Sequence, residues 1–277
     1  MFDIDPNLKP VIVGAVLISL MVLEMVAPMF RSYDTLKQRL LHDVSNILLG
    51  VFNAVVVGFL FVSLVLFVTT WASEHQFGVL NWLSLNPYLE LLVGLLLFDC
   101  WQYWWHRINH LVPFFWRFHA VHHSDAAMDA SSAVRFHTVE IIYSSLIRLL
   151  VLPLIGLSIE HLLIYELILL PIILFHHSNV AVPTALDKAL RVFIVTPRIH
   201  WVHHSHIKEE TDSNYASLLS VWDRLFGSFR LRDDPQKIRF GLGDRFDQLA
   251  WDKLKGMLGQ PFIKGLYKKS TPLTDDS

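Results

Sequence analysis

Cysteine is almost absent from this chain of 277 residues. Cys100 stands alone, which excludes an intramolecular disulfide and any structural zinc site built on thiolates; in its apolar surroundings it reads as a small buried hydrophobe. Charge is scarce as well. Lys and Arg number 23 against 25 Asp and Glu, so the net charge is −2 and no basic excess points to nucleic acid as a partner. There is no Gly-x-Ser-x-Gly elbow, no Gly-x-x-x-x-Gly-Lys phosphate loop and no dinucleotide fingerprint, which removes the common nucleophile and nucleotide chemistries. Gly- or Ser-rich linkers and blocks of like charge are also missing, so the chain reads as one helical membrane domain.

What is present in excess is apolar residues. A hydrophobic share of 53% and a mean hydropathy of +0.42 favour a membrane protein. Residues 11–30 are apolar apart from Glu24 and Pro28, and they lack the basic start and small-residue cleavage site of a signal peptide, which predicts an uncleaved membrane helix. Residues 47–68 carry no charge; at 1.5 Å per residue they reach about 33 Å, enough for a hydrocarbon core of about 30 Å. Arg31, Lys37 and Arg39 make the loop between these spans basic, whereas residues 72–88 hold Glu74 and neither Lys nor Arg. The positive-inside rule therefore places the first loop in the cytoplasm and the second outside. Residues 88–105 return inward and end on Trp101, Tyr103, Trp104 and Trp105, a cluster suited to a membrane interface, followed by Arg107, Arg117 and Arg135. Residues 141–157 and 162–175 are shorter apolar runs joined by Ser-Ile-Glu-His. They predict a helical hairpin that returns to the side it left and delivers His176 and His177 there, ahead of Lys188, Arg191 and Arg198. The expected fold is all-α, a polytopic membrane helical bundle with a cytoplasmic histidine-rich metal-binding cap. Residues 1–90 supply membrane helices, residues 91–229 the histidine-rich segments and the hairpin 141–175, and residues 230–277 a cytoplasmic tail with a weakly ordered end at 268–277.

Histidine is the other abundance, with 15 in the chain. His119, His122 and His123 precede Ser124, and His200, His203 and His204 precede Ser205, in two copies of one phrase. The spacing i, i+3, i+4 puts three imidazoles on one helix face, where they can converge on metal. His106 and His110 are one turn apart and can hold one ion, and His176 with His177 can complete a cluster of two. So many neutral imidazoles suffice for two ions, and imidazole suits iron, zinc and copper alike, so spacing does not choose among them. His137 fits a ligand and a ligand-supporting role equally. His42, His75 and His161 stand alone near span ends and read as interfacial or loop residues, and His206 points off the 200, 203, 204 face. Asp99, Tyr103, His106 and His110 form one helical stripe, which makes Asp99 a candidate to accept an imidazole N–H or to balance the charge of the site. Glu90 and Glu166 meet the same argument, with an interface position as the alternative. Two redox metals at the mouth of a helix bundle would let an apolar substrate arrive from the bilayer, and could share the electrons needed to cleave O2 and attack an unactivated C–H bond.

Taken together, Asp99, Tyr103 to Arg107, His110, Trp116 to Ser124, Phe175 to Asn179, His200 to Ser205, Glu210 to Tyr215 and Trp222 to Gly227 make the chain resemble the fatty acid hydroxylase and sterol desaturase superfamily of membrane di-iron enzymes, over roughly residues 91–229. The resemblance implies hydroxylation or desaturation of a sterol, fatty acyl or related lipid by O2 at two Fe ions, with zinc as a substitute in purified protein. It implies His106, His110, His119, His122, His123, His176, His177, His200, His203 and His204 as metal ligands and Asp99, Asp212 and Asn214 as catalytic residues. Electrons would come from a separate donor, a ferredoxin or cytochrome b5-like protein, since the flanks are too short for a fused haem domain. The expected location is a bacterial inner membrane or the endoplasmic reticulum, with the site facing the cytoplasm. The chain departs from the family pattern at Ala216, where glycine usually follows Asn-Tyr, and at Ser228, where threonine is usual. Two other readings use the same imidazoles. One is a membrane metallohydrolase, for which the chain lacks a His-Glu-x-x-His glutamate; the other is a metal-binding or metal-transport protein, against which the histidines gather on one expected side.

Overall fold

A computed structural model describes residue 5, residues 7–243 and residues 253–263. Among them the chain is helical, and strand pairing is reduced to three isolated bridges. The elements in order are α1 (Leu8–Val26), α2 (Leu36–Glu74), α3 (Val79–Trp82), α4 (Pro87–Leu111), α5 (Pro113–His123), a 3-10 turn (Ala130–Val134), α6 (Thr138–Ile155), α7 (Ile159–His177), α8 (Thr184–Leu190), α9 (Pro197–His203), α10 (Lys208–Thr211), α11 (Val221–Leu225) and, after a further short 3-10 turn, α12 (Leu254–Gly259). Local sequence sets the ends of the long helices. Thr35 and Gln38 form a capping box ahead of α2, and Asn86 accepts the N–H groups of Tyr88 and Leu89 at the head of α4, with Pro87 in its first turn. Ser158 caps α7, and α6 stops at Gly156, whose φ of 80° is left-handed.

The five long helices alternate in direction, and one end of the bundle gathers every histidine box. α1 ends there with Glu24, whose carboxylate accepts the N–H of Ala130 and of Asn179. α2 starts there, α4 ends there on His110, α6 starts there and α7 ends there on His177. At the far end Gly78 packs against the end of α6: its φ is 104°, and a Cβ would stand 2.3 Å from the carbonyl of Pro153. Among the described residues four helices, α1, α2, α6 and α7, are long and apolar enough to cross a membrane, and their outward residues are bare hydrocarbon, as at Ile18, Phe59, Phe67 and Leu150. The expected span 47–68 lies inside α2, whose 39 residues reach about 58 Å, almost twice the hydrocarbon core. Its first three turns therefore stand in the polar end. α4 is apolar only in its first half and is not among the four.

Two expectations change in detail. Residues 141–175 fall on α6 and α7, which run in opposite directions with splayed legs: α6 packs chiefly on α2 and α7 on α1. The tail does not stand off the domain where it is described. Met257 of α12 is buried against Leu49 and Val121, and the Leu258 carbonyl accepts a hydrogen bond from His137; residues 268–277 lie outside the described residues.

His42 is not an interfacial residue. It is buried, with Nε2 2.9 Å from both carboxylate oxygens of Asp125 and Nδ1 3.3 Å from Asp129. Arg135 completes the clamp by donating to the Val121 carbonyl and the Ser124 hydroxyl, both at 3.0 Å, and to Asn46. Buried charges are tolerated when paired in this way, and the pairing ties the end of α5 to the head of α2. His42, Asp43 and Asp129 also bring three ligand-type atoms together, but hydrogen bonds to one another and to Tyr33, Asp125 and Ser131 already occupy them. His161 is buried near the head of α7, and His75 donates to the Trp71 carbonyl and stacks on its ring at the end of α2.

Gly78→Ala is expected to destabilise the far end by about 1–3 kcal/mol, from the left-handed φ and the Pro153 contact. Thermal unfolding of detergent-solubilised protein checks this; an unchanged midpoint would show that the contact yields.

Candidate metal centre

The boxes assemble into two groups. His106, His110, His119, His123 and His203 form the first, and His122, His177, His200 and His204 the second, each with its ligand atoms within 4.8 Å of one another. The boxes of α5 and α9 are shared, whereas the pair in α4 serves the first group alone and α7 supplies only His177, to the second. In α5, His119 and His123 serve the first group and His122 the second; in α9 and its C-cap, His200 and His204 serve the second and His203 the first. Helix geometry accounts for the division. At about 100° per residue, i+4 falls about 40° to one side of i and i+3 about 60° to the other, so one face feeds two neighbouring points.

Hydrogen bonds at the outer nitrogens decide where the lone pairs point. His106 Nδ1–H donates to the Tyr215 carbonyl at 2.8 Å, His203 Nδ1–H to the Ser213 carbonyl at 2.6 Å, and His119 Nδ1–H to Glu140 Oε1 at 2.7 Å. With Nδ1 protonated, Nε2 carries a lone pair. These three Nε2 atoms nevertheless crowd together, with His106 3.1 Å from both His119 and His203, and His123 Nε2 3.2 Å from His119. In the second group His177 Nδ1–H donates to the Ile173 carbonyl at 2.8 Å, and Nε2 atoms run from His122 to His177, His200 and His204 in steps of 3.0–3.1 Å.

Protons do not resolve this crowding. Burial, aided by neighbouring imidazoles, pushes His203 down to about 3 and holds His122, His123, His200 and His204 well below the usual imidazole range. Both nitrogens of His110 and the Nδ1 atoms of His122, His123, His200 and His204 are buried without a hydrogen-bond partner. Neutral imidazoles with convergent lone pairs in a dry site are the donor set a divalent cation satisfies, so the residues fit one metal in each group.

The remaining expected site residues fall outside the two groups. His176 is buried with its ring 4.0 Å from that of His200 and belongs to neither. Asp99 meets no imidazole: Oδ1 accepts from the Tyr165 hydroxyl at 2.6 Å, and Oδ2 accepts from Trp222 Nε1 at 2.7 Å and from the Leu219 N–H. It shares the stripe of His106 but sits seven residues, about 10 Å, back toward the start of α4, where it joins α7 to α11. Asp212 Oδ1 lies 3.5 Å from His110 Nδ1, and the same carboxylate pairs with Lys208. Asn214 holds backbone: at a left-handed φ of 52° it donates to the carbonyls of Ile199 and Arg230 and accepts from the Arg230 N–H. His137 caps α6, its Nδ1 accepting from the Val139 N–H, and His206 pairs with the Arg239 backbone. The residue that sequence reasoning missed is Glu140. Its only signal was a lone carboxylate opening an apolar helix, and its other oxygen, Oε2, is buried without a partner.

Residues 91–228, half of the chain, match the model of the fatty acid hydroxylase family, and this stretch contains every histidine of both groups. The chain belongs to the fatty acid hydroxylase family. Among curated relatives, this family member is 29% identical over 175 residues to an ornithine lipid hydroxylase of Rhizobium tropici, covering 63% of this chain and 51% of that protein. It is 30% identical over 186 residues to an alkylglycerol monooxygenase of Danio rerio, covering 65% and 38%. It is 25% identical over 150 residues to a cholesterol 25-hydroxylase of Homo sapiens, covering 53% and 54%. The chain therefore spans about half, or less, of the length of these relatives. No solved structure gives a significant match. With four apolar helices of crossing length, this member of the family is an integral membrane protein.

Removing the Glu140 carboxylate frees the His119 ring, so Glu140→Ala is expected to weaken metal retention by about 10–100-fold. Competition with a chelator, read by metal analysis, measures it, and Glu140→Gln, which keeps an acceptor oxygen, should restore most of the loss. Wild-type retention in Glu140→Ala would remove the orienting role.

Proposed function

We propose that the protein is an O2-dependent lipid oxidoreductase that hydroxylates an unactivated C–H bond, with desaturation as the related outcome of the same site. The observation that carries the reading is the pair of imidazole groups fed by shared boxes at the mouth of membrane-crossing helices. The three relatives named as a lipid hydroxylase, a monooxygenase and a sterol hydroxylase favour oxygen insertion. Two iron ions, held by His106, His110, His119, His123 and His203 and by His122, His177, His200 and His204, would supply the redox chemistry that splits O2. Zinc would occupy the same imidazoles as a substitute without that redox chemistry. His176 is retained as a candidate ligand on the flank of the second group.

The chain's own residues orient and exclude. Glu140 and the carbonyls of Ser213, Tyr215 and Ile173 fix four rings, and Asn214 and Asp99 hold the backbone from which some of those rings are positioned. Asp212, 30% exposed at its side chain and beside His110, stands where protons can pass between water and the centre. Burial of the ligands, complete for all but the half-buried His106, excludes water from reactive chemistry, while the lipid enters sideways between apolar helix faces. A cytoplasmic cap is supported by Arg31, Lys37, Arg39, Arg107, Arg117 and Arg135, which lie at the histidine end, whereas residues 69–88 and 155–163 at the far end hold no Lys or Arg. Electrons then come from a separate cytoplasmic donor such as a ferredoxin or a cytochrome b5-like protein. A bacterial inner membrane or the endoplasmic reticulum satisfies this placement. A metal-transport role fits less well, because both groups sit at one end and not along the spans.

Anaerobically purified, active protein is expected to hold two irons per chain, and His203→Ala and His204→Ala are each expected to abolish turnover without loss of membrane insertion. Full activity in either variant would remove that group from the reaction, and stoichiometric zinc with O2-independent turnover would favour the hydrolase.

Mass spectrometry of lipids from cells with and without the gene decides the outcome of the reaction. A gain of one oxygen marks hydroxylation and a loss of two hydrogens marks desaturation; unchanged lipids would count against both.

A further inference from the structure

Beside the first imidazole group lies a line of oxidisable rings that the proposed reaction does not use. The Tyr215 ring is 5.1 Å from His110 and 6.0 Å from His106, and the Tyr103 ring is 6.1 Å from Tyr215. Trp104, 5.5 Å beyond Tyr103, is 41% exposed at the surface. Tyr103 itself is fully buried, and its hydroxyl is wired for proton release. It donates to Ser228 Oγ at 2.7 Å, and the Ser228 hydroxyl donates in turn to Asp223 Oδ1 at 2.8 Å. Arg107 donates to the Tyr103 oxygen at 3.0 Å and lies over the rings of Tyr215 and Trp104. A guanidinium there disfavours a positively charged phenol, so an oxidised Tyr103 must shed its proton, and Ser228 with Asp223 is the built path.

We propose that Tyr215, Tyr103 and Trp104 form a relay that drains oxidising equivalents from the metal centre to the surface when no lipid is bound. The proposal rests on the O2 chemistry proposed above. The direction follows from chemistry: phenol and indole give up an electron only to strong oxidants, so the line cannot feed electrons in from an ordinary reductant but can discharge an oxidant formed from O2 at the two metals. In the step, Tyr103 loses one electron through Tyr215 to that oxidant. Its O–H bond breaks, the proton passing to Ser228 while the Ser228 proton passes to Asp223. Trp104 then returns an electron to the neutral Tyr103 radical and releases its indole proton at the surface, and Tyr103 regains its proton from Asp223 through Ser228. A hydrogen atom from a thiol or quinol refills Trp104. The hydroxyl at position 228 suffices for this, so the replacement of the usual threonine by serine leaves the path intact.

The test uses full-length, iron-loaded protein without lipid, reduced, mixed with O2, freeze-quenched and read by electron paramagnetic resonance. A radical whose lines narrow on ring-deuterated tyrosine is expected, lost in Tyr103→Phe, reduced in yield in Ser228→Ala and several-fold longer-lived in Trp104→Phe. After repeated cycles, peptide mapping should find added oxygen on Trp104 in the wild type and on Tyr215 and the first-group histidines in Tyr103→Phe. If Tyr103→Phe fails to hold iron, Ser228→Ala and the wild-type peptide map carry the test. O2 uptake without a tyrosine radical and without oxidised Trp104 would overturn the relay and leave the functional reading standing. So would a radical that persists in Tyr103→Phe, or damage centred on Trp116, whose ring is 5.0 Å from His110. No O2 uptake with two irons bound would overturn the functional reading, and the relay with it.

Discussion

The metal centre depends on four Nδ1–H groups that are tied outward. Once His106, His203 and His177 donate to backbone carbonyls and His119 donates to Glu140, their Nε2 lone pairs are committed to the interior, and His106 meets two others of the same kind, His119 and His203, at 3.1 Å. Burial opposes protonation as a remedy, so the arrangement is repulsive until a cation is shared. The remainder of residues 91–228 can be understood as the means of keeping those acceptors in place. Asp223 accepts the N–H groups of Tyr215 and Ala216 and so fixes the carbonyl that receives His106. Asn214 ties the Ser213–Tyr215 turn to Ile199 and Arg230, which holds the carbonyl that receives His203. Residues without any contact to a ligand atom thus belong to the centre through the backbone.

The bilayer supplies the second constraint. Membrane-crossing backbone must satisfy its own hydrogen bonds, so the polar work is confined to helix ends and the segments between them. Alternating helix directions bring the ends of α1, α4 and α7 and the starts of α2 and α6 to one end of the bundle, where their last and first turns contribute ligands, orienting groups and clamps. The excess length of α2 is used there. His42 and Asn46, in turns that project beyond the hydrocarbon, hold Asp125 and Arg135 and through them the end of α5. A network of buried charges is a poor source of stability in itself, since desolvation offsets attraction. Its effect here is to fix the register of the loop that follows the second histidine box.

Much of this was legible in advance, and the exceptions have specific causes. The uncharged run 47–68 marks α2 because hydrocarbon thickness sets a minimum length, and the box spacing marks the imidazoles that gather because helical geometry places i, i+3 and i+4 on one face. The same periodicity misled at Asp99. A stripe along a helix defines direction but not depth, and two turns of α4 separate Asp99 from the centre, so it meets Tyr165 and Trp222 instead. Glu140 escaped notice, and His42 reads from the sequence as interfacial, for the complementary reason. Their partners lie 21 and 83 residues away, and no periodicity within a single helix encodes a contact between helices.

The amino-acid sequence by itself determined the class of molecule and the chemistry open to it: an all-helical membrane protein, because apolar runs of that length have few other homes, and a histidine metal site, because so many imidazoles in helical register have few other uses. Only the tertiary structure decided how the imidazoles divide. Each shared box serves two groups, since rings at i+3 and i+4 flank the direction of i and meet different partners across the interface of α4, α5, α7 and α9. It also decided which carboxylate orients a ligand and which one braces the helices, because that choice depends on depth and on neighbours brought together from distant parts of the chain.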